Sequence, residues 1–257
     1  MIAQWDANTE VPSVFSTSVA SSEQDVCAAQ RLRYNVFVKE LGGDGPLVDH
    51  DACLEKDAFD QYADHILLRD ESRAKYDQVV GVYRVMTEPM AAAAGRFYCA
   101  EEYDLTPFYQ SGKRLLELGR SCLHADYRGG PAMLHLWGAL ADYVQARSID
   151  VLFGVASFHG TDVVRHHRHL ARKELRVKAI GPTALSMSIT RPEAIDRVAA
   201  VRQMPALIKA YLRLGATVGE GAFGDHAFNT VDICIILERD AINALQRKML
   251  AAGASRG

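Results

Sequence analysis

The chain has 257 residues, and its 29 Lys+Arg against 32 Asp+Glu give a formal charge of −3, which excludes a basic, nucleic-acid-coating protein. Hydrophobic residues at 49% and charged residues at 24% are the balance of a globular chain and not of a disordered or fibrous one, and the length suits one large domain or two small ones. No run of about 18 apolar residues occurs, which excludes a membrane-spanning helix.

The first residues, Met1-Ile2-Ala3-Gln4-Trp5-Asp6, lack the basic and apolar regions of a secretory signal. Residues 1–21 are rich in Ser, Thr and Ala and read as a flexible lead-in to a single domain over 22–245, followed by a tail over 246–257. Ser22 suits a helix N-cap, with Asp25 three residues on, and Ala29, Leu32, Val36 and Phe37 recur at helical intervals. Residues 44–64 then carry seven acids against one base, Lys56, a local charge of −6. Two apolar runs, 65–68 and 79–86, are expected to pair as antiparallel strands.

Residues 114–124 form a further expected strand, leading into Asp126-Tyr127-Arg128-Gly129-Gly130-Pro131. Pro131 suits the first turn of a helix whose apolar face is Met133, Leu136, Trp137, Leu140 and Val144. The continuous apolar run 151–156 is that of a doubly covered central strand. A helix over 162–173 places Val163, Val164, His167, Leu170 and Ala171 on one side and Arg165, Arg168, Arg172 and Lys173 on the other. Residues 165–178 carry a local charge of +5, so this face is either a solvated surface over a core stripe or a docking site for an acidic partner. Residues 185–189, 216–218 and 231–236 read as strands, and Pro205 opens a helix through Leu212. Strand pairs mixed with helices and one central βαβ unit predict an α/β or α+β sheet sandwiched by helices. The five scattered cysteines, none in a C-x-x-C spacing, fit a reduced cytoplasmic setting with no metal site built on cysteine.

Chemistry concentrates in Leu115-Leu116-Glu117-Leu118-Gly119-Arg120-Ser121-Cys122-Leu123-His124. In a regular strand Glu117 and Arg120 would face opposite ways, because the side-chain period is two. A bulge near Gly119 would turn both to one face and leave a backbone N–H unpaired, able to polarise a carbonyl while the carboxylate takes a proton from an amine. The alternative is an internal ion pair on the sheet. Cys122 beside His124 could act as a nucleophile, although a small buried residue is the commoner role of cysteine. His166, His167 and His169 are divided between the two helix faces, which argues against a metal site.

The stretch from Glu117 to Arg128 resembles the central strand and turn of the GNAT acyltransferase superfamily. Taken with Phe153-Gly154-Val155-Ala156-Ser157-Phe158-His159-Gly160, Tyr211-Leu212-Arg213-Leu214-Gly215-Ala216 and Asp225-His226-Ala227-Phe228-Asn229-Thr230-Val231-Asp232, it is similar to the L-ornithine Nα-acyltransferases over about Gln30 to Leu237. Their relatives, the acyl-homoserine lactone synthases, are matched by Arg33, Val36 and Phe37, by Asp57-Ala58-Phe59-Asp60, by Arg84 and by the Glu117/Arg120 pair. The resemblance implies a GNAT-like mixed, mostly antiparallel central sheet with helices on both faces.

The resemblance also implies transfer of a 3-hydroxyacyl chain from acyl carrier protein to the α-amine of L-ornithine, giving lyso-ornithine lipid in the cytoplasm, with peripheral contact at the inner membrane allowed. It implies no bound cofactor, since acyl-phosphopantetheine comes with the carrier. Glu117 is then the expected base with Arg120 beside it, and Arg33, Phe37, Asp57, Asp60, Arg84, Ser121, Asp225 and His226 bind substrate, the acidic segment forming the acceptor side. Arg128, Gly129 and Gly130 would meet the phosphopantetheine, and Arg165, Arg168, Arg172 and Lys173 the carrier. Coenzyme A-using relatives carry Arg-Gly-x-Gly-x-Gly/Ala, whereas Arg128-Gly129-Gly130-Pro131-Ala132-Met133 loses one N–H at Pro131 and gains bulk at Met133, which favours the carrier protein as donor. Two other readings are acyl-homoserine lactone synthesis with S-adenosylmethionine and a non-catalytic protein that binds lipid or carrier.

Overall fold

The computed structural model describes residues 14–159, 177–181, 183–185, 204–226 and 229–239. The strands are β1 (Phe15–Val19), β2 (Asp64–Asp70), β3 (Val79–Thr87), β4 (Tyr103–Asp104), β5 (Leu115–Leu123), β6 (Val151–His159), β7 (Lys178–Ala179), β8 (Ala184–Leu185), β9 (Thr217–Val218), β10 (Ala222–Asp225) and β11 (Thr230–Glu238). The helices are α1 (Glu23–Arg33), α2 (Glu88–Ala94), α3 (Thr106–Gln110), α4 (Ala132–Ala146) and α5 (Ala206–Arg213).

Ser22 caps α1 as its spacing predicts, accepting from the Asp25 N–H at 3.2 Å. The helix then widens over Tyr34–Glu40 into π geometry, with the Leu41 N–H reaching back five residues to the Val36 carbonyl at 3.1 Å. Residues 15–19 correct the expected flexible lead-in. They form a strand paired antiparallel with β2, from Phe15 opposite Asp70 to Val19 opposite Ile66. Ser and Thr alternating between Phe15 and Val19 suit a half-exposed edge strand as well as they suit a loop.

The main sheet runs β1-β2-β3-β5-β6-β11-β10-β8, with β9 also paired to β11. Its pairs are antiparallel except β5 and β6, which are parallel. Side-chain alternation sends Ile66 and Leu68 of β2 into a core with Leu136 and Leu140 of α4, and Leu67 into a core with Ala29 and Leu32 of α1. Helices thus cover both faces, as expected for this fold class.

Two irregularities open the middle of the sheet. The parallel pairing of β5 with β6 covers only Leu115, Leu116 and Glu117 opposite Val151, Leu152 and Phe153, after which the strands diverge. At that point a Cβ on Gly154 would lie 2.1 Å from the Leu118 carbonyl oxygen, so only glycine permits the approach. Between β3 and β5, Val82 faces Cys122 and Arg84 faces Gly119, so β5 spends one residue more than β3. This is the bulge that the Glu117/Arg120 spacing anticipates, and Arg120 holds its left-handed turn at φ +48°.

Candidate active site

The divergence of β5 and β6 leaves a cavity of ≈ 830 Å³. Its wall includes Phe37, Arg84, Tyr98, Glu117, Gly119, Arg120, Ser121, Arg128, Gly129, Gly130, Asp225, Thr230 and Asp232. Arg33, Asp57, Asp60 and His226 are not part of that wall, and His226 lies in an exposed turn after β10. Arg165, Arg168, Arg172 and Lys173 lie outside the described residues.

Three arginines, Arg33 and Arg84 buried and Arg120 partly so, meet three acids beside the cavity. Arg33, fully buried on α1, pairs with Glu55 and with Asp60 at 2.7 Å. Arg84, from β3, pairs with Asp57 and with Asp60 at 3.1 Å. Arg120, on the bulge, completes the ring at 3.1 Å from both Glu55 and Asp57. Burial alone would raise the carboxyls of Asp57 and Asp60, but Arg84 and Arg120 hold the first, and Arg33 the second, below the usual range. Glu55, Asp57 and Asp60 are therefore neutralised by arginines from α1, β3 and β5, which argues against these three as the acceptor side that the resemblance implied. A buried guanidinium without a carboxylate would be costly, and this segment supplies the carboxylates.

Glu117 and Arg120 do face one side of the sheet, for both meet Tyr98. The Tyr98 N–H donates to Glu117 Oε2 at 2.8 Å and the Cys99 N–H to Oε1 at 2.6 Å, while Arg120 Cζ lies 4.9 Å from the Tyr98 ring centre. The Glu117 carboxylate thus caps the single turn Tyr98–Glu101. Burial nevertheless raises its pKa, the two N–H groups offsetting only part of the effect.

A second acidic group differs from the first. Glu102 and Asp232 are each 3% exposed, and Glu102 Oε2 and Asp232 Oδ1 have no hydrogen-bond partner among the described residues. Burial, then the charges of Asp232 and Asp225, push Glu102 up to about 9, and burial also raises Asp232. Sequence reasoning missed Glu102 and passed over Asp232 as part of a strand. A carboxylate inside the apolar run Val231-Asp232-Ile233-Cys234-Ile235-Ile236 is the signal that could have found it.

Arg128 lines the cavity but is tied to Glu40, its Nη2 lying 2.7 Å from Oε2, and it also donates to the Leu123 carbonyl at 3.1 Å. Cys122 is a poor nucleophile here, because burial pushes its thiol up to about 12. Its neighbour His124 instead accepts from the Asp126 N–H at Nδ1, at 3.3 Å.

A splayed parallel pair, a bulge on one of its strands and a cavity between them are the features of a GNAT-fold acyltransferase. Residues 32–138 match the family model described as an acetyltransferase (GNAT) domain. The fold is shared with FeeM, an N-acyl amino acid synthase from uncultured soil microbes, at TM-score 0.52 and 14% identity over 91% of this chain and 98% of that one. It is shared equally with BjaI, a CoA-dependent acyl-homoserine lactone synthase, at TM-score 0.52 and 13% identity over 94% and 90%. Relatives in sequence are much nearer: the L-ornithine N(alpha)-acyltransferase of Rhodobacter capsulatus is 52% identical over 92% of this chain and 95% of its own length. That of Brucella abortus is 37% identical over 93% and 89%. The chain belongs to the L-ornithine N(alpha)-acyltransferase family.

Proposed function

We propose that this chain transfers a 3-hydroxyacyl group from acyl carrier protein to the α-amine of L-ornithine, giving lyso-ornithine lipid. The observation that carries this reading is the 52% identity, across nearly the whole chain, to a relative of that name. The cavity between β5 and β6 offers an entry for a thioester arm, with acidic side chains on its wall for an amine.

An α-ammonium titrates near ~8 and must lose a proton before it attacks. Glu117, on the cavity wall and with its pKa raised toward that of the amine, takes this proton directly or through water. The nitrogen then bonds to the thioester carbon, and a backbone N–H at the Arg120–Ser121 bulge stabilises the oxyanion. Collapse forms the amide and releases the phosphopantetheine thiolate, which takes up the second proton that the nitrogen must shed. The acyl group arrives on its carrier, so the step needs no resident cofactor.

Arg128-Gly129-Gly130-Pro131 supports a carrier-borne donor, since fewer N–H donors serve one phosphopantetheine phosphate than the pyrophosphate of free coenzyme A. The charge of Arg165, Arg168, Arg172 and Lys173 suits an acidic carrier. We place the reaction in the cytoplasm, with its lipid product leaving at the inner membrane face. Among the described residues no helix is long and apolar enough to cross a membrane.

Incubation with 3-hydroxyacyl carrier protein and either L-ornithine or S-adenosylmethionine decides the acceptor. Acyl-ornithine is expected, and product with S-adenosylmethionine alone would refute the reading. Glu117→Gln should lower kcat by ~10²-fold or more. Reversing Arg165 and Arg168 to Glu should raise KM for the carrier and flatten its salt dependence; an unchanged salt dependence would remove them from the docking face.

A further inference from the structure

The cavity wall carries polar groups that the folded protein uses only in part. Thr230 and Asp232, two residues apart on β11, are each 3% exposed. Ser157 and Thr230 lie within hydrogen-bonding reach of the Asp232 carboxyl, yet its Oδ1 and the Thr230 Oγ1 keep acceptor capacity that no well-formed hydrogen bond among the described residues uses. Both line the cavity. Glu102, which follows the turn capped by Glu117, is not itself on the cavity wall but adds a second buried carboxyl, whose Oε2 is also unpartnered among the described residues and which feels the charge of Asp232. Leaving such groups buried without partners costs stability, so their persistence needs a reason outside the empty protein.

Resting on the ornithine reading above, we propose that Asp232 and Thr230, backed by Glu102, form the subsite for the acceptor's side-chain ammonium and thereby select a diamino acid. An ammonium has three donors and no acceptor, which matches a surplus of acceptor oxygens. Among the described residues no group of three or more His, Cys, Asp or Glu is placed to hold a metal ion. The ring of Glu55, Asp57 and Asp60 is already neutralised by Arg33, Arg84 and Arg120, and its remaining oxygens accept from Gln30 Nε2 and the Phe59 N–H. With the side-chain ammonium held at β11, the four carbons of ornithine separate it from the α-nitrogen, leaving the latter for the thioester in the gap between β5 and β6.

The test compares L-ornithine with L-norvaline, which lacks only the δ-nitrogen, using the same acyl carrier protein donor. The unmodified enzyme should favour ornithine by ~10²-fold or more in kcat/KM, because an analogue that leaves a buried polar site unpaired is rejected strongly. Asp232→Asn and Glu102→Gln should each cut that preference at least ~10-fold by losing ornithine while retaining norvaline. They should also raise the Tm of the free enzyme, whereas loss of a merely structural pair would lower it. Thr230→Val removes a hydroxyl whose contact in the folded chain is with the Asp232 carboxyl, and should raise KM for ornithine severalfold while changing norvaline less, even where a carboxylate variant fails to fold. Equal use of both amino acids by the unmodified enzyme, or equal loss of both in the variants, overturns the subsite while leaving ornithine transfer intact. No acylation of either amino acid overturns the parent reading, and the subsite with it.

Discussion

Glu55 and Asp60, buried, and Asp57, partly so, pack against Arg33, Arg84 and Arg120, whereas Glu102 and Asp232, which also sense Arg120, keep oxygens with no partner among the described residues. The two groups share one charge type and comparable burial, yet their carboxyls shift in opposite directions, Asp57 and Asp60 downwards and Glu102 and Asp232 upwards. The first arrangement is satisfied within the folded chain and acts as architecture, fixing α1, β3 and the bulge of β5 to one another. The second is satisfied only in part within the folded chain and, on the subsite proposed above, is completed by the acceptor's ammonium. A buried carboxylate therefore reports a function only after its partners have been counted.

Breaking the satisfied ring should have the largest effect on stability. Arg33→Met leaves Glu55 and Asp60 each short of a cation in a buried setting, and should cost ~3–5 kcal/mol, read from the denaturant midpoint. A loss under ~1 kcal/mol would mean the ring is not a unit. The unsatisfied pair should respond in the opposite sense and by less, with Glu102→Gln stabilising the free enzyme at neutral pH.

A pH series sharpens the contrast further. Glu102, facing Asp232, Asp225, Arg120 and Glu117, titrates at about 9 when folded against an ordinary 4.5. A folded pKa raised in this way gives stability that is complete below about pH 4.5 and is lost as the pH climbs through about 9. The free enzyme should lose stability over that window, and Glu102→Gln should flatten the slope. Asp57 and Asp60, whose folded values are depressed, act oppositely: their contribution is full above the ordinary carboxylate range and fades as the pH falls through their lowered values.

The elements that position the cavity were legible where local pattern and tertiary role agree. Ser22 with Asp25 marked the start of α1, Pro131 the start of α4, and the apolar run at 151–156 the central β6. The Glu117/Arg120 spacing carried the bulge, because two functional side chains three apart cannot share a face of a regular strand. Charge pattern was the poorer guide. The seven acids of 44–64 suggested a site for cationic amines, but no local rule reveals that arginines from α1, β3 and β5 converge on them. The Tyr98–Glu101 turn was illegible for a similar reason, since a carboxylate from β5, far along the chain, caps it.

The most direct measurement is the shift in Tm produced by saturating L-ornithine in the unmodified enzyme and in the Glu102→Gln/Asp232→Asn double variant. Binding to the folded state alone raises Tm by mass action, so the unmodified enzyme should start lower and gain several degrees, while the double variant starts higher and gains little or nothing. An equal ornithine-induced gain in both proteins, or a double variant that starts lower, would contradict the assignment of the unpaired carboxyls to the acceptor.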